Sequence, residues 1–161
     1  AVLAAEDQRF YQHGGFDWVE VRQAVGQSVQ GTGLRGASTI SMQAARNLFL
    51  WPGRSWVRKG LEAYYTLLLE AFLPKNRILE IYLNVAELGP GLYGAPSGAW
   101  VYFGRPASRL SRDQAARLAA ILPAPKRLSP LHLSRYLLKR KQQIMNQMNY
   151  IELKDWPLFS R

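Results

Sequence analysis

Apolar residues recur at helical spacing along almost the whole chain, and alternating runs of the kind a half-buried strand requires are scarce. That pattern restricts the chain to a mostly α-helical fold. Val57, Leu61, Tyr64, Tyr65, Leu68 and Phe72 mark the inward face of a helix that begins near Ser55, after the Pro52-Gly53 turn, and stops at Pro74. Lys75 to Val85 predicts a second helix, with Ile78, Leu79, Tyr82 and Leu83 inward. Ser111 and Gln114 form a capping box for a helix reaching Leu122, which Pro123 and Pro125 end. Ser129-Pro130 supplies the cap and first turn of a basic helix to about Tyr150. Gly31 to Gly36, Trp51 to Gly53, and Glu87 to Ser97 with its glycines and prolines read as loops. The expectation is one all-α domain of about seven helices over residues 1–150, followed by a C-terminal tail, 151–161.

A chain of 161 residues with 48% hydrophobic content can bury a core without disulfides. It has no cysteine, which removes a thiolate metal site without choosing a compartment. The most apolar stretch, Leu61 to Leu73, is interrupted by Glu62 and Glu70 and falls short of the roughly 18 uncharged residues of a spanning helix. Charge is more informative than hydropathy. The net charge is +10, and it is segregated: Val21 to Leu61 and Gln114 to Ile151 contain no acidic residue. Arg22, Arg35, Arg46, Arg54, Arg58 and Lys59 occupy the first of these stretches. Such fields suit an anionic partner, whether nucleic acid, anionic lipid or a phosphorylated substrate.

Gly31-Thr32-Gly33-Leu34-Arg35-Gly36 matches the dinucleotide-loop pattern by letter, but Val21 to Gln30 before it reads as helix rather than strand. No carboxylate follows to hold a ribose before Glu62. His13 and His132 lack the third ligand of a zinc site, and Ser38 and Ser41 lack the setting of a nucleophile elbow. Glu6-Asp7, taken alone, reads as a solvated pair at a helix end. Glu62 has Arg58 four residues before it and Lys59 three before it, so both cations share its face, as in an ordinary surface ion pair.

Chemistry gives these residues a second reading. Transfer of a sugar from a pyrophosphate donor needs one carboxylate to take a proton from the incoming hydroxyl, and cations to receive the leaving group. Hydrolysis of a glycoside needs a second carboxyl as acid. One base and an acid-free cationic wall fit transfer better.

Five blocks, in order, resemble the peptidoglycan glycosyltransferases, most closely the monofunctional kind without a penicillin-binding domain. They are Glu6-Asp7-Gln8-Arg9-Phe10-Tyr11-Gln12-His13-Gly14-Gly15-Phe16-Asp17, then Gly36-Ala37-Ser38-Thr39-Ile40-Ser41-Met42-Gln43, then Arg58-Lys59-Gly60-Leu61-Glu62. Lys75-Asn76-Arg77-Ile78-Leu79-Glu80-Ile81-Tyr82-Leu83-Asn84 and Arg117-Leu118-Ala119-Ala120-Ile121-Leu122-Pro123-Ala124-Pro125 complete the set. The resemblance implies a lysozyme-like fold with a cleft between a main lobe and a smaller, membrane-facing lobe. It implies that Glu6 is the general base, removing the proton from the 4-hydroxyl of acceptor lipid II, with inversion at the donor and loss of undecaprenyl pyrophosphate. Glu62 matches the second essential acid. Asp7, Ser38, Thr39, Gln43, Arg46, Arg54, Arg58 and Lys59 match substrate-binding positions. No cofactor is required, although a divalent cation such as Mg2+ could sit beside Glu62.

The implied partners are lipid II, the growing glycan chain, an anionic membrane surface and other cell-wall synthesis or division proteins, with no nucleic acid among them. The implied location is the periplasmic side of the bacterial inner membrane, with a single-pass anchor upstream of Ala1. Two departures from the family pattern stand out: Met42 replaces a common glutamine, and Pro96-Ser97-Gly98 stands where a helical run is usual. The fourth block reads as structural, with Glu80 and Asn84 tying helices together. A lytic or hydrolytic enzyme of similar fold and a nonenzymatic basic module are the rival readings.

Overall fold

Four hydroxyl side chains set where helices begin. In the computed structural model, which describes residues 1–29, 38–53 and 55–151, Thr39 accepts the Met42 N–H at 3.2 Å and Ser55 the Arg58 N–H at 3.0 Å. Ser134 accepts the Leu137 N–H at 3.3 Å, and Ser111 exchanges hydrogen bonds with Gln114 in a full capping box. Each such cap stabilises its helix by about 1 kcal/mol. They open α3 (Ile40–Phe49), α4 (Trp56–Phe72), α8 (Arg135–Gln147) and α7 (Arg112–Ile121) respectively. The remaining helices are α1 (Val2–Glu6), α2 (Trp18–Val29), α5 (Lys75–Val85) and α6 (Ala95–Phe103).

The all-α expectation holds, with eight α-helices among the described residues rather than about seven. The capping box and the bounds of α5 fall where the sequence placed them. Four local expectations do not hold. The stretch read as one loop contains a short antiparallel hairpin, β1 (Glu87–Gly89) with β2 (Leu92–Tyr93), and α6 already begins at Ala95. Gly91 at φ +70° makes that turn, and Pro96 sits in the first helical turn, where its missing N–H costs nothing. Ser129-Pro130 does not start α8. Ser129 instead bonds the Leu131 N–H at 3.3 Å in a tight turn that buries the Pro130 ring, and the helix waits for Ser134.

The third correction concerns α4. Its sequence-predicted inward face includes Val57, Tyr64 and Phe72, and these are 73%, 55% and 78% exposed. The buried stripe is Glu62, Thr66 and Leu69. Hydrophobic period locates a face but not the neighbour it meets, and here α3 and α5 cover the more polar side. Glu80 and Asn84 do not tie helices either, because Glu80 pairs with Arg77 and Asn84 with the Glu80 carbonyl, all within α5. Tyr11, donating to Asn76 at 2.9 Å, makes the tie from the first block to α5.

The apolar interior divides in two. Leu3, Phe10, Ile40, Ala44, Ala45, Leu69, Ile78, Leu79 and Tyr82 form one cluster around α3, α4 and α5. Ala4, Leu88, Ala116, Ala119, Ile121, Leu137 and Ile144 form another around α7 and α8. Adjacent residues of α1, Leu3 and Ala4, belong to different clusters. The short helix is therefore the seam of the fold, and its last residue, Glu6, comes out between the two halves. Across α7 and α8, Asp113 accepts from Lys141 and pairs with Arg117, each at 2.6 Å. The Lys141 hydrogen bond above all holds the Asp113 carboxyl below its usual range, so this tie loosens only as pH falls through that lowered value.

Candidate active site

A cavity of about 510 Å³ opens where α1 ends. Glu6, Ser38 and Thr39 line it together with Tyr136, Arg140 and Gln143. These last three follow the i, i+4, i+7 spacing of one face of α8. The spacing is present in the sequence, where Arg140 falls within the acid-free stretch Gln114 to Ile151. The structure gives it a fixed place, donating from Nη2 to the Ala5 carbonyl at 2.7 Å, one residue from Glu6.

Glu6 is half-buried, and its Oε2 accepts a hydrogen bond from Gln43 Nε2 at 2.9 Å. Gln43 Oε1 in turn accepts from the buried Tyr82 hydroxyl at 3.2 Å. Thr39, Gln43 and Arg46 are spaced i, i+4, i+7 along α3, so one side of that helix carries a cap, an amide and a cation past Glu6. The Arg46 charge is felt at the Tyr82 hydroxyl. Thr39 is committed to structure: besides capping α3 it donates to the Gly15 carbonyl at 2.6 Å. Ser38, half-buried on the cavity wall, precedes it.

Asp7 is not the solvated partner of Glu6 that its sequence setting suggested. It is 7% exposed, accepts the Ile40 N–H at 3.0 Å, and takes His13 Nε2 on both oxygens at 3.0 and 3.2 Å. Its charge meets the N-terminus of α3, where a carboxylate is favoured. Asp7, His13 and Asp17 place one ligand atom each within 4.8 Å of the others. Their oxygens are already used, since Asp17 accepts from the Val19 and Glu20 N–H groups and faces Arg9 at 3.5 Å. The cluster fastens the first block to α2 and α3.

Glu62, Arg58 and Lys59 form a separate group on α4, away from the residues lining the cavity. Glu62 is 1% exposed, with Oε1 hydrogen-bonded to Lys59 and Oε2 facing Arg58 at 3.8 Å. This is a buried carboxylate held by two cations rather than an ordinary surface pair. With both oxygens facing cations, these residues as arranged do not fit a divalent ion. Arg54, Arg35 and the Gly31–Gly36 motif lie outside the described residues; α2, which precedes that motif, is helical as expected.

The transglycosylase family model matches residues 1–149. The chain belongs to this family. Curated relatives of the transglycosylase chain agree. It is 54% identical over 151 residues to the biosynthetic peptidoglycan transglycosylase of Chromohalobacter salexigens, covering 94% of this chain and 64% of that one. It is 53% identical over 147 residues to that of Xanthomonas campestris pv. campestris, covering 91% and 60%. For the Pseudomonas aeruginosa protein of the same name it is 52% over 148 residues, covering 92% and 64%. The chain thus spans somewhat under two thirds of the length of these relatives. The five blocks all fall inside the matched region, as do the two departures. Met42 is 8% exposed in the transglycosylase interior, where an apolar side chain is well placed.

Proposed function

We propose that this protein is a peptidoglycan glycosyltransferase that joins lipid II units into glycan strands, with Glu6 as the general base. The observation that carries this reading is one carboxylate, half-buried and held by Gln43, at the seam of the fold, where it lines a cavity of about 510 Å³ together with Ser38, Thr39, Tyr136 and Arg140. Oε2 is engaged by the Gln43 amide, which leaves Oε1 to take the proton of the acceptor's 4-hydroxyl. The oxygen so freed attacks the anomeric carbon of the growing chain, the bond to the diphosphate breaks, and undecaprenyl pyrophosphate leaves with inversion. Arg46, with Arg54, Arg58 and Lys59 by resemblance, supplies the cations that a departing diphosphate requires. Arg140 and Tyr136 line the cavity itself beside Glu6.

The lipid-linked substrate places this chemistry at a bilayer. Trp56, Val57, Tyr64 and Phe72 leave much of α4's apolar surface uncovered, and an anionic membrane surface suits both that exposure and the net charge of +10. No helix among the described residues is long and apolar enough to cross a membrane. We assign the working location as the periplasmic face of the inner membrane, held by an anchor upstream.

Offering purified lipid II and preformed glycan in parallel tests the reading. Long glycan from the first and no cleavage of the second is expected. Cleavage of preformed glycan, with anhydro-sugar or hydrolysed ends, would establish the lytic alternative.

Two variants sharpen the assignment. Glu20 also lines the cavity, and a glycosidase would need a second carboxyl there as its acid. Glu20→Gln is therefore expected to polymerise lipid II within about threefold of wild type, since the loss of a single general acid would cost about 10²–10⁴-fold. Arg46→Ala should lose about 1.5–3 kcal/mol of diphosphate engagement, the worth of a hydrogen bond to a charged group, seen as a roughly 10–100-fold fall in kcat/KM. Wild-type saturation behaviour in Arg46→Ala would remove Arg46 from the donor site.

A further inference from the structure

We infer that Tyr82 is a positioning residue for the base, acting through Gln43 to fix which oxygen of Glu6 stays available for the acceptor's proton. The inference rests on the reading of Glu6 as base and concerns a residue that otherwise belongs to the core. Tyr82 is 1% exposed and packs among Ile78, Leu79, Leu3 and Ile40, yet its hydroxyl meets Gln43 Oε1 at 3.2 Å. A phenylalanine would fill that place equally well if packing were the only demand.

The direction of the chain of bonds follows from the donor and acceptor inventory. An ionised carboxylate only accepts, so the Gln43 group facing Glu6 must be the NH2, and Nε2 stands 2.9 Å from Glu6 Oε2. That leaves Oε1 toward Tyr82, which must donate. Burial first, and the Glu6 charge second, push the Tyr82 hydroxyl above its ordinary value, while Arg46 offsets this in part. The phenol therefore keeps its proton throughout the working range and remains a donor.

Without the hydroxyl, Gln43 Oε1 loses its partner and the amide is free to rotate. Each rotated state withdraws the N–H from Glu6 or turns a carbonyl oxygen toward the carboxylate. Oε2 is then no longer engaged, and the carboxylate can swing away from the pose that presents Oε1 to the acceptor. A donor to the ionised form is also lost.

The test is the pH dependence of kcat/KM for lipid II polymerisation in Tyr82→Phe, Gln43→Met and the double variant, beside Glu6→Gln. In Tyr82→Phe the acid limb should move to higher pH by about 0.5–1 unit, with a loss of roughly three- to tenfold on that limb, as expected for one lost hydrogen bond. Gln43→Met keeps the length of the side chain without its amide and should move the limb in the same direction. Adding Tyr82→Phe to Gln43→Met should then change the limb no further.

An acid limb in Tyr82→Phe that coincides with wild type, while Glu6→Gln is inactive, overturns the positioning role and leaves the base reading standing. Additive shifts in the double variant overturn it as well, because Tyr82 would then act by another route. If Tyr82→Phe does not fold, Gln43→Met decides alone, and an unmoved limb there overturns the inference. Wild-type polymerisation by Glu6→Gln would defeat the base reading itself, a result distinguishable from any of these.

Discussion

Glu62→Gln should melt about 6–12 °C below the wild type. Glu62 is 1% exposed and its two oxygens face Lys59 and Arg58, so the substitution leaves two cations beside a neutral amide. Removing one partner of a buried ion group costs about 3–5 kcal/mol, because the remaining charge is uncompensated. The low end applies here. Lys59 is 43% exposed and water screens it, whereas Arg58 at 13% is not relieved in this way. About 3 kcal/mol in a chain of this size corresponds to the stated fall in melting temperature, at about 2–4 °C per kcal/mol. Binding of a phosphoglycolipid inhibitor should weaken with it, since Arg58 and Lys59 lose the group that organises them. A melting temperature within about 1 °C of wild type, read by circular dichroism, would mean that the pair is solvated after all.

Glu6→Gln should behave in the opposite way, keeping the fold and losing the reaction. Glutamine has the size of glutamate, and its side-chain oxygen can still accept from Gln43 Nε2 where Glu6 Oε2 now does, at 2.9 Å. Nothing buried is left unpaired by the change, so the melting curve should stay close to wild type. Basicity is lost altogether. Polymerisation of lipid II should fall by at least the roughly 10²–10⁴-fold attributed to a general base, while inhibitor binding changes little. Equal losses of binding and rate would make Glu6 a substrate-positioning group and send the search for the base to another carboxylate of the cavity.

How much of this was legible in the sequence differed by element, for physical reasons. Caps are local, so Ser55 and the Ser111–Gln114 box could be read directly. The hairpin could not, because strands of three and two residues are too short to show an alternating period. Ser129-Pro130 misled because a serine-proline pair suits both a helix start and a tight turn, and burial of the proline ring decided between them. The outward stripe of α4 was invisible for another reason. Its apolar residues do lie on a helical face, but the sequence does not say whether protein or something else covers that face.

The site followed the same division. Arg58, Lys59 and Glu62 were brought together by spacing alone, although not their burial. Glu6 was distinguished from a solvated acid only by the resemblance of its block to a family. Its contact with Gln43 spans 37 positions, and that of Gln43 with Tyr82 spans 39. Neither has any local signature. Arg140 reaches the Ala5 carbonyl across 135 positions, which is why the α8 wall was read as charge rather than as a place.

The central claim, a single displacement driven by one carboxylate, is tested most directly by analysing what the wild-type chain makes from lipid II. One undecaprenyl pyrophosphate should be released for each disaccharide joined, and the new glycosidic bond should carry the anomeric configuration opposite to that of the donor. Retained configuration would contradict the claim, because it requires a covalent intermediate on a second carboxylate and a double displacement.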